Sequence, residues 1–580
     1  MTRPRFEPEQ EVRFAIVMYG GVSLAIYING VAQELFRLVR ATAPEKPYPE
    51  APHADQRVYF ADEGSGGDRP ELTGSERLYR ELGQWLGIDG ATEPVARDDE
   101  PAPVRTRFVV DIISGTSAGG INGVFLAKAL AQQEEFGVSA DMWLQVADIE
   151  ELLRGEASWE GIAARPPREP ESLLNGYRLY AKAREALAKM EQRKEIPQDP
   201  FRPSYAEQLE LDVTATDLAG LPQPIRLAEG HRVWERVHRK VLRFEYGTEA
   251  TTGEEHTDFA GNDLMLGFAA RATSSFPFAF EPVRLRDVEP LFARFAEADP
   301  GFWFPGYPHP ADAFFADGGY LDNKPFSYAT QALRRRRADL PVARKLVYIE
   351  PDPAPDGPPA PTRSQRPDVY QNVADAMVGL PRFEPIRQDI ADVAARNGAV
   401  ARLRDIELDA EQALEEDSTA ALQGPAYAAY RTLRARTVLD ALAELAALLC
   451  GWASDDERAG TVREALRQWH GAQPAFALSE VDAAFQQRRL SFLQHRANDL
   501  LLGDERAPRM LAVAVKLGID AAPQPSGPAD EVLQAAAPPP LSADAAAALA
   551  AQRGGLRELK LRLNTAFDPL RRVERAPLSR

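Results

Sequence analysis

Residues 115–119 read GTSAG and place Ser117 between an apolar run and a helical pattern. In a nucleophile elbow, a serine adopts a strained conformation on a tight strand-to-helix turn, and the residues two before and two after it must be small. Gly115 and Gly119 meet that requirement. The turn also places the N–H of Ala118 at a helix N-terminus, where it can hold an oxyanion. The pattern predicts a serine nucleophile; the alternative is a glycine-rich turn with an incidental serine.

Asp317 is the candidate base for this serine. It follows the apolar residues 313–316 and precedes two glycines, so it should lie at a strand end where the chain turns sharply. A carboxylate can accept the serine proton directly when the two groups are hydrogen-bonded. Asp111 is a rival acid, but it lies inside the strand before the elbow and should point away from Ser117. The alternative for Asp317 is a common Asp-Gly turn.

A histidine is the usual base in a serine hydrolase triad, and this chain has seven histidines. None of them lies in a turn directly after a strongly predicted strand. Two of them, seven positions apart, fall in a polar stretch that we interpret as helical. We therefore expect solvated or structural roles for His53, His231, His238, His256, His309, His470 and His495.

Gly20 and Gly21 are candidates for an oxyanion hole. They lie between a predicted strand and a predicted helix, and in a parallel sheet such a loop lies at the same carboxyl edge as the elbow. Two glycines let backbone N–H groups approach a substrate oxygen closely. The alternative is a plain strand-to-helix turn. Neither glycine cluster has the lysine of a P-loop or the spacing of a Rossmann fingerprint.

These residues need a scaffold that brings them together. Apolar periodicity predicts strands and helices in alternation, and alternation of this kind predicts an α/β sandwich of three layers around a mostly parallel sheet. In that sheet, Ser117 and Asp317 should lie at the carboxyl ends of strands on one edge. The predicted helices are 23–40, one near 74–87, 118–133, 262–275 and 326–338, and the predicted strands are 12–19, 106–113, 209–220, the start of 314–325, and 345–352.

The chain should divide into two domains. We interpret 1–352 as the α/β domain, with insertions at 41–104, which is rich in Pro, Gly and acidic residues, and at 134–207, which is polar and helical. Residues 353–366 are Pro-rich and typical of a linker. Residues 367–580 are rich in Ala, Leu, Arg and Glu at helical spacing, which predicts a mainly helical domain. The sequence does not indicate what that domain does.

Composition excludes several classes of protein. The chain has 580 residues and a net charge of −19, which argues against a nucleic-acid partner, because neutralising phosphates needs a basic face. The single cysteine, Cys450, excludes an internal disulfide framework and a cysteine-based zinc site, and no ligand cluster predicts another metal or a cofactor. The N-terminus has no signal-peptide pattern. The uncharged residues 14–33 are split by two glycines and predict a strand and a helix, not a membrane span. We expect a cytoplasmic protein.

Three motifs in order resemble the patatin-like phospholipase family. They are YGGVSLAIYINGV at 19–31, GTSAGG at 115–120 and FFADGGYLDNKP at 314–325. The segments DVTATDLAG at 212–220 and AARATSSFPFAFEPV at 269–283 are similar to further segments of the family. The first loop lacks the basic residue that the family often has there. The long C-terminal region is similar to that of a bacterial patatin-related subgroup.

This resemblance implies a Ser117–Asp317 dyad without histidine, an oxyanion hole at Gly20 and Gly21, and hydrolysis of lipid acyl esters at a membrane surface. Acyl transfer to an acceptor other than water is an alternative, because it shares the acyl-enzyme. A non-catalytic lipid- or partner-binding protein on the same fold is the alternative from another class. The aromatic side chains of Phe276, Phe278 and 301–308 should form either the mouth of an acyl pocket or ordinary packing.

Overall fold

This computed structural model describes most of the first 350 residues and less of the remainder. Described are 5–350, except 22–24, 48–56, 63–69, 88–89, 92–100, 147–148, 163–164, 166–169, 193–200, 227–231, 249–254, 289–302, 334–335, 337 and 339, and then 368–374, 386–387, 389–398, 435–436, 438–440, 442–443 and 457–471. The chain divides into two compact units. The first comprises 1–222, 236–336 and 342–390, and the second comprises 223–235, 337–341 and 391–580.

A seven-stranded sheet forms the centre of the first unit. Its strands are β1 (Phe6–Met18), β5 (Val104–Gly115), β7 (Gln208–Arg226), β8 (Arg232–Thr248), β9 (Glu255–Thr257), β10 (Phe315–Asp317) and β11 (Val342–Ile349). They are ordered β11-β1-β5-β7-β8-β9, and β10 also pairs with β7. The pairs β11–β1, β1–β5 and β5–β7 are parallel, whereas β10–β7 and β8–β9 are antiparallel.

The other described elements are α-helices, two short strand pairs and the 3₁₀-helices Glu156–Trp159, Leu285–Asp287, Pro310–Asp312 and Gly318–Tyr320. The short pairs are β2 (Glu45–Pro47) with β6 (Phe201–Pro203), and β3 (Leu86–Gly87) with β4 (Gly90–Ala91). The helices are α1 (Ala25–Ala41), α2 (Ser75–Trp85), α3 (Ala118–Gln132), α4 (Val138–Val146), α5 (Ile149–Leu152), α6 (Gly176–Gln192), α7 (Asp263–Thr273), α8 (Phe326–Ala332), α9 (Val369–Ala374) and α10 (Glu457–Gly471).

Strand β1 is buried on both faces, and this explains the three layers. Ile16 and Met18 belong to a large apolar core that includes side chains of α1, α3 and α7. Ala15 and Val17 point the other way, into a smaller core that contains Phe326 of α8. A strand covered on both faces has no polar alternation, as the uncharged run of β1 shows. The predicted α/β sandwich with a mostly parallel sheet is therefore confirmed.

The uncharged stretch 14–33 is divided between the end of β1 and the first half of α1, as predicted. Among the described residues, no helix combines the length and the apolar character that a membrane span requires.

One predicted element is wrong. The stretch around His238 was expected to be helical, but it forms the long strand β8. Its buried side chains, Lys240, Leu242, Phe244 and Tyr246, alternate with a period of two, which is the strand period. The two-residue alternation therefore decides the structure here, and the seven-residue spacing of the two histidines carries no helical signal.

The segment 41–104 contributes to the core as well as to the surface. Tyr59, Phe60 and Leu72 are fully buried in the large apolar core. Arg80 of α2 is also buried, and its guanidinium donates to the carbonyl oxygens of Ala41 and Phe60. The predicted linker at 353–366 and most of the predicted helical domain lie outside the described residues.

Candidate active site

Ser117 lies on the turn between β5 and α3. Its backbone has φ 54° and ψ −124°, a conformation that few residues other than glycine adopt. The side chain is 6% exposed, so a reactant would reach it at the edge of a buried site. This is the backbone geometry of a nucleophile elbow.

The two flanking glycines are required by close backbone packing. A Cβ placed on Gly115 would lie 2.6 Å from the carbonyl oxygen of Gly119. A Cβ placed on Gly119 would lie 2.4 Å from the carbonyl oxygen of Met18, at the end of β1. Carbon and oxygen atoms do not approach that closely without displacing the backbone. The backbone of the elbow therefore packs tightly on the end of β1 at Met18, and its two ends pack tightly on each other at Gly115 and Gly119.

Gly119→Ala should destabilise the protein by about 2–4 kcal/mol, because the new methyl overlaps backbone that cannot move independently. Gly30→Ala is the matched control, since Gly30 also lies in a helix but a Cβ there meets no atom within 4 Å. That change should leave stability equal or raise it by up to about 1 kcal/mol. Urea unfolding of both variants checks this, and equal stability of the two would contradict the steric argument.

Asp317 lies at the end of β10, and its carboxylate is buried. Oδ1 accepts a hydrogen bond of 2.7 Å from the N–H of Gly319. Oδ2 has no hydrogen-bond partner of ordinary geometry among the described residues, although the Ser117 side chain is close enough to interact with the carboxylate. Burial raises the pKa of Asp317 to about 7, and the Gly319 N–H and the Ser117 side chain oppose that rise.

Strand pairing brings Asp317 to the elbow by a different route from the one predicted. In the register of β5 and β7, Gly115 is the partner of Val213. In the register of β10 and β7, Asp317 is the partner of Ala215. The sequence suggested that Asp317 ends a parallel strand. Strand β10 is instead antiparallel to β7. Asp317 reaches the same edge because β7 continues beyond the elbow and β10 runs back along that extension.

The glycine loop after β1 lies against Ser117 and against Asn323. A Cβ placed on Gly20 would lie 3.3 Å from Cβ of Ser117 and 2.2 Å from Oδ1 of Asn323. The Gly20 N–H donates to the carbonyl oxygen of Asn323 at 3.2 Å. The N–H of Gly21 makes no hydrogen bond within the described part of the chain. Ala118 is the first residue of α3, where N–H groups have no partner within the helix.

Sequence reasoning missed two residues that hold this arrangement. Thr273, the last residue of α7, accepts the N–H of Ser117 on its Oγ1 at 2.7 Å. The carbonyl oxygen of Ser275 accepts the N–H of Asp317 at 3.1 Å. Both lie in the small-residue segment that resembled the family, but nothing in its composition assigned a hydrogen bond to either residue.

The rival groups lie elsewhere. Asp111 pairs with Arg13 at 3.2 Å and with Arg344 at 2.6 Å, and it therefore points away from the elbow, as expected. The Nδ1–H group of His238 donates a hydrogen bond of 2.8 Å to the carbonyl oxygen of Asp217. His256 and His309 are exposed. None of these three histidines hydrogen-bonds Ser117 or Asp317, and the other four lie outside the residues whose side chains are described.

Within the described ranges, no group of three or more His, Cys, Asp or Glu side chains is arranged to hold a metal ion.

The aromatic residues proposed for an acyl pocket differ in how far they are exposed. Phe304 is buried and packs against Phe268 and Phe315, so it belongs to the core. Phe278 is 71% exposed and has a positive φ of 65°. Phe276 is half-buried between these extremes.

The fold and the elbow together define the class of this unit, an α/β sandwich with a serine on a strand-to-helix turn. Within that class, residues 104–330 match the model of the patatin-like phospholipase family, which confirms the resemblance seen in the motifs. The match supports lipid acyl hydrolase activity in general.

A curated relative is an uncharacterized membrane protein of Mycobacterium tuberculosis, to which this chain is 30% identical over 368 residues. The aligned region covers 60% of this chain but only 28% of that protein, so the chain spans well under two thirds of the relative. No solved structure matches the chain.

Proposed function

We propose that the protein is a serine lipid acyl hydrolase in which Ser117 is the nucleophile and Asp317 is its base. The observation that carries this proposal is the environment of Asp317. Its carboxylate is buried, has one oxygen without an ordinary partner, interacts with the Ser117 side chain and has a pKa of about 7. A buried carboxylate is costly to retain, and a base is most effective when its pKa is close to the working pH.

The reaction begins when Asp317 accepts the proton of the Ser117 hydroxyl. The Ser117 Oγ then bonds to the ester carbonyl carbon, and the carbonyl oxygen becomes an oxyanion. We propose that the N–H groups of Gly21 and Ala118 stabilise that charge, because Ala118 directly follows Ser117 and Gly21 directly follows Gly20, which lies against Ser117. The Gly20 N–H is the weaker candidate, since the Asn323 carbonyl already accepts it.

Breakdown of this intermediate forms the acyl-enzyme. The bond from the carbonyl carbon to the leaving alcohol breaks, and the alcohol takes the proton from Asp317. A water molecule then gives its proton to Asp317 and attacks the acyl carbon. The second intermediate releases the fatty acid and returns the proton to Ser117. The proton and the acyl group are both accounted for in these steps.

The acyl acceptor distinguishes hydrolysis from transfer. The decisive experiment offers vesicles of phospholipid or acylglycerol to the full chain and to Ser117→Ala, and measures released fatty acid with and without an added acceptor alcohol. Fatty acid released only by the wild-type protein supports the proposal. Acylated alcohol in place of fatty acid would make the protein a transferase. Lipid binding by both proteins without turnover would make it a binding protein.

A lipid substrate places the working protein at a membrane surface. The relative from Mycobacterium tuberculosis is described as a membrane protein, which is consistent with such an association. We propose a cytoplasmic protein that binds membranes peripherally. Sedimentation with phospholipid vesicles tests this, because a protein without such an association stays in the supernatant.

The described histidines should be dispensable. His238→Ala, His256→Ala and His309→Ala are each expected to retain most of the lipid hydrolase activity, because none of the three contacts the proposed dyad. The same result is expected for His231, His470 and His495. Initial rates on one vesicle substrate provide the measurement. A loss as large as that of Ser117→Ala in any of them would establish a triad and overturn the assignment of Asp317 as the sole base.

A further inference from the structure

We infer that Thr273 is a positioning residue that sets the direction of the Ser117 nucleophile. This inference rests on the proposed function of Ser117 as the nucleophile. Thr273 hydrogen-bonds the main chain of Ser117, where its Oγ1 accepts the Ser117 N–H at 2.7 Å. Both residues are buried, and 156 sequence positions separate them.

The hydrogen bond from Ser117 to Thr273 satisfies an N–H group at the start of α3. Ser117 occupies the N-cap position of α3, so its N–H has no partner inside the helix. A buried N–H without a partner is unfavourable, and the Thr273 hydroxyl removes that penalty. It does so at a residue whose backbone is held in a strained conformation. Fixing this backbone fixes the Cα–Cβ bond of Ser117 and leaves one torsion with a few staggered positions for Oγ, so the Thr273 hydrogen bond limits where Oγ can point.

Thr273 also contacts the helix that follows the nucleophile. A Cβ placed on Gly120 would lie 2.8 Å from Cγ2 and 2.9 Å from Oγ1 of Thr273. The threonine side chain is therefore in van der Waals contact with the first turn of α3 while it accepts the Ser117 N–H. Its methyl and hydroxyl groups together leave it little freedom to move.

The same short segment holds the proposed base. The Ser275 carbonyl oxygen accepts the Asp317 N–H at 3.1 Å, and the Ser275 Oγ accepts a hydrogen bond of 2.6 Å from Arg271. Arg271 is buried and donates at 2.7 Å to the carbonyl oxygen of Glu281 as well. Its burial lowers the pKa of the guanidinium to about 10. Residues 271–275 thus hydrogen-bond the backbone of Ser117 through Thr273 and the backbone of Asp317 through Ser275.

Thr273→Val tests the inference, because valine keeps the shape and removes the acceptor. We expect kcat to fall about 10- to 100-fold with little change in KM, since a small misplacement of a reacting group has an effect of that size. Labelling of Ser117 by a fluorophosphonate should slow by a similar factor. Thr273→Ser keeps the hydroxyl and should restore both rates to within about threefold of wild type.

Thr42→Val is the matched control. Thr42 is also buried, and its Oγ1 likewise accepts a backbone N–H, that of Phe108, at 3.1 Å. That bond lies in β5 away from the elbow. Both valine variants should lose similar stability, but only Thr273→Val should lose kcat. If Thr273→Val fails to fold, Thr273→Ala replaces it with the same expected outcomes.

The pH profile provides a readout that loss of stability alone does not move. The Ser117 side chain lowers the pKa of Asp317, so a misdirected Ser117 should shift the acidic limb of kcat/KM to higher pH. Wild-type rates in Thr273→Val, or equal losses of kcat in the two valine variants, would overturn the inference. An active Ser117→Ala would overturn the proposed function instead, so the two failures are distinguishable.

Discussion

Ser117→Ala is expected to reduce lipid ester hydrolysis by about 10⁴-fold or more, because removal of a serine nucleophile leaves only binding and oxyanion stabilisation. The variant should fold normally, since alanine keeps the Cβ and the hydroxyl makes no structural hydrogen bond among the described residues beyond its interaction with Asp317. Release of fatty acid and labelling by a fluorophosphonate probe measure the effect. Labelling at another serine, or an active variant, would refute the assignment.

Ser117→Gly separates the hydroxyl from the backbone. The positive φ of Ser117 is strained for any residue with a Cβ, so glycine should raise the free energy of unfolding by about 1 kcal/mol, whereas alanine should not. Both variants should be equally inactive. A gain in stability with complete loss of activity would show that the strained backbone is maintained for the sake of the nucleophile.

Asp317→Asn should lower turnover by about 10²-fold or more, which is the usual contribution of a general base. Asparagine has nearly the same shape, and its amide oxygen can still accept the Gly319 N–H. The carboxylate that accepts the Ser117 proton is absent. Single-turnover release of fatty acid, with thermal unfolding as a check of the fold, provides the measurement. Activity close to that of the wild type would reduce Asp317 to a structural role.

The pH dependence follows from the pKa of about 7 for Asp317. Below that pH the carboxyl group is protonated and cannot accept a proton, so kcat/KM of the wild type should rise as the pH increases through about 7 and then level off. Asp317→Asn should lack this limb. A wild-type profile that is flat between pH 5 and 9 would contradict the assignment.

The free energy of unfolding should fall over the pH range in which kcat/KM rises. The pKa of Asp317 is raised above the value of about 3.9 of an unfolded chain, so the folded state binds more protons between these two values. The contribution of Asp317 to the stability of the folded state is therefore fully present below pH 4 and is lost as the pH rises through 7. At pH 8, Asp317→Asn should therefore be more stable than the wild type, by up to about 4 kcal/mol, and the gain should vanish near pH 4.

The elbow could be predicted from sequence because its requirements are local. Gly115 and Gly119 flank the serine at fixed distances, and the steric reasons for them operate within one turn. The fold class was predictable for a similar reason, since the strands buried on both faces have a strong apolar signal. Asp317, the proposed base, could be located by the two glycines that follow it, but its antiparallel strand could not be predicted, because only the register with β7 reveals it.

The residues that sequence reasoning missed act over long distances. Thr273 accepts the N–H of a residue 156 positions away, and no local pattern distinguishes this threonine from any other at the end of a helix. Strand β8 was missed because its inward side chains include Lys240, whose ammonium group donates to the carbonyl oxygen of Trp303. A buried lysine weakens the apolar alternation from which strands are inferred.

The position of β1 between β5 and β11 governs when the site can form during synthesis. The carbonyl oxygen of Met18 accepts the N–H of Thr116 at 3.2 Å and packs against Gly119, so the elbow needs β1. Strand β11, which completes the sheet around β1, ends only at Ile349. A nascent chain that carries the matched residues 104–330 still has β1 as an uncovered edge, open to pairing with other chains. The site is therefore expected to form late in translation, after Ile349 has left the ribosome. A recombinant fragment limited to 104–330 lacks β1 altogether and leaves the edge of β5 unpaired, so it is expected to aggregate.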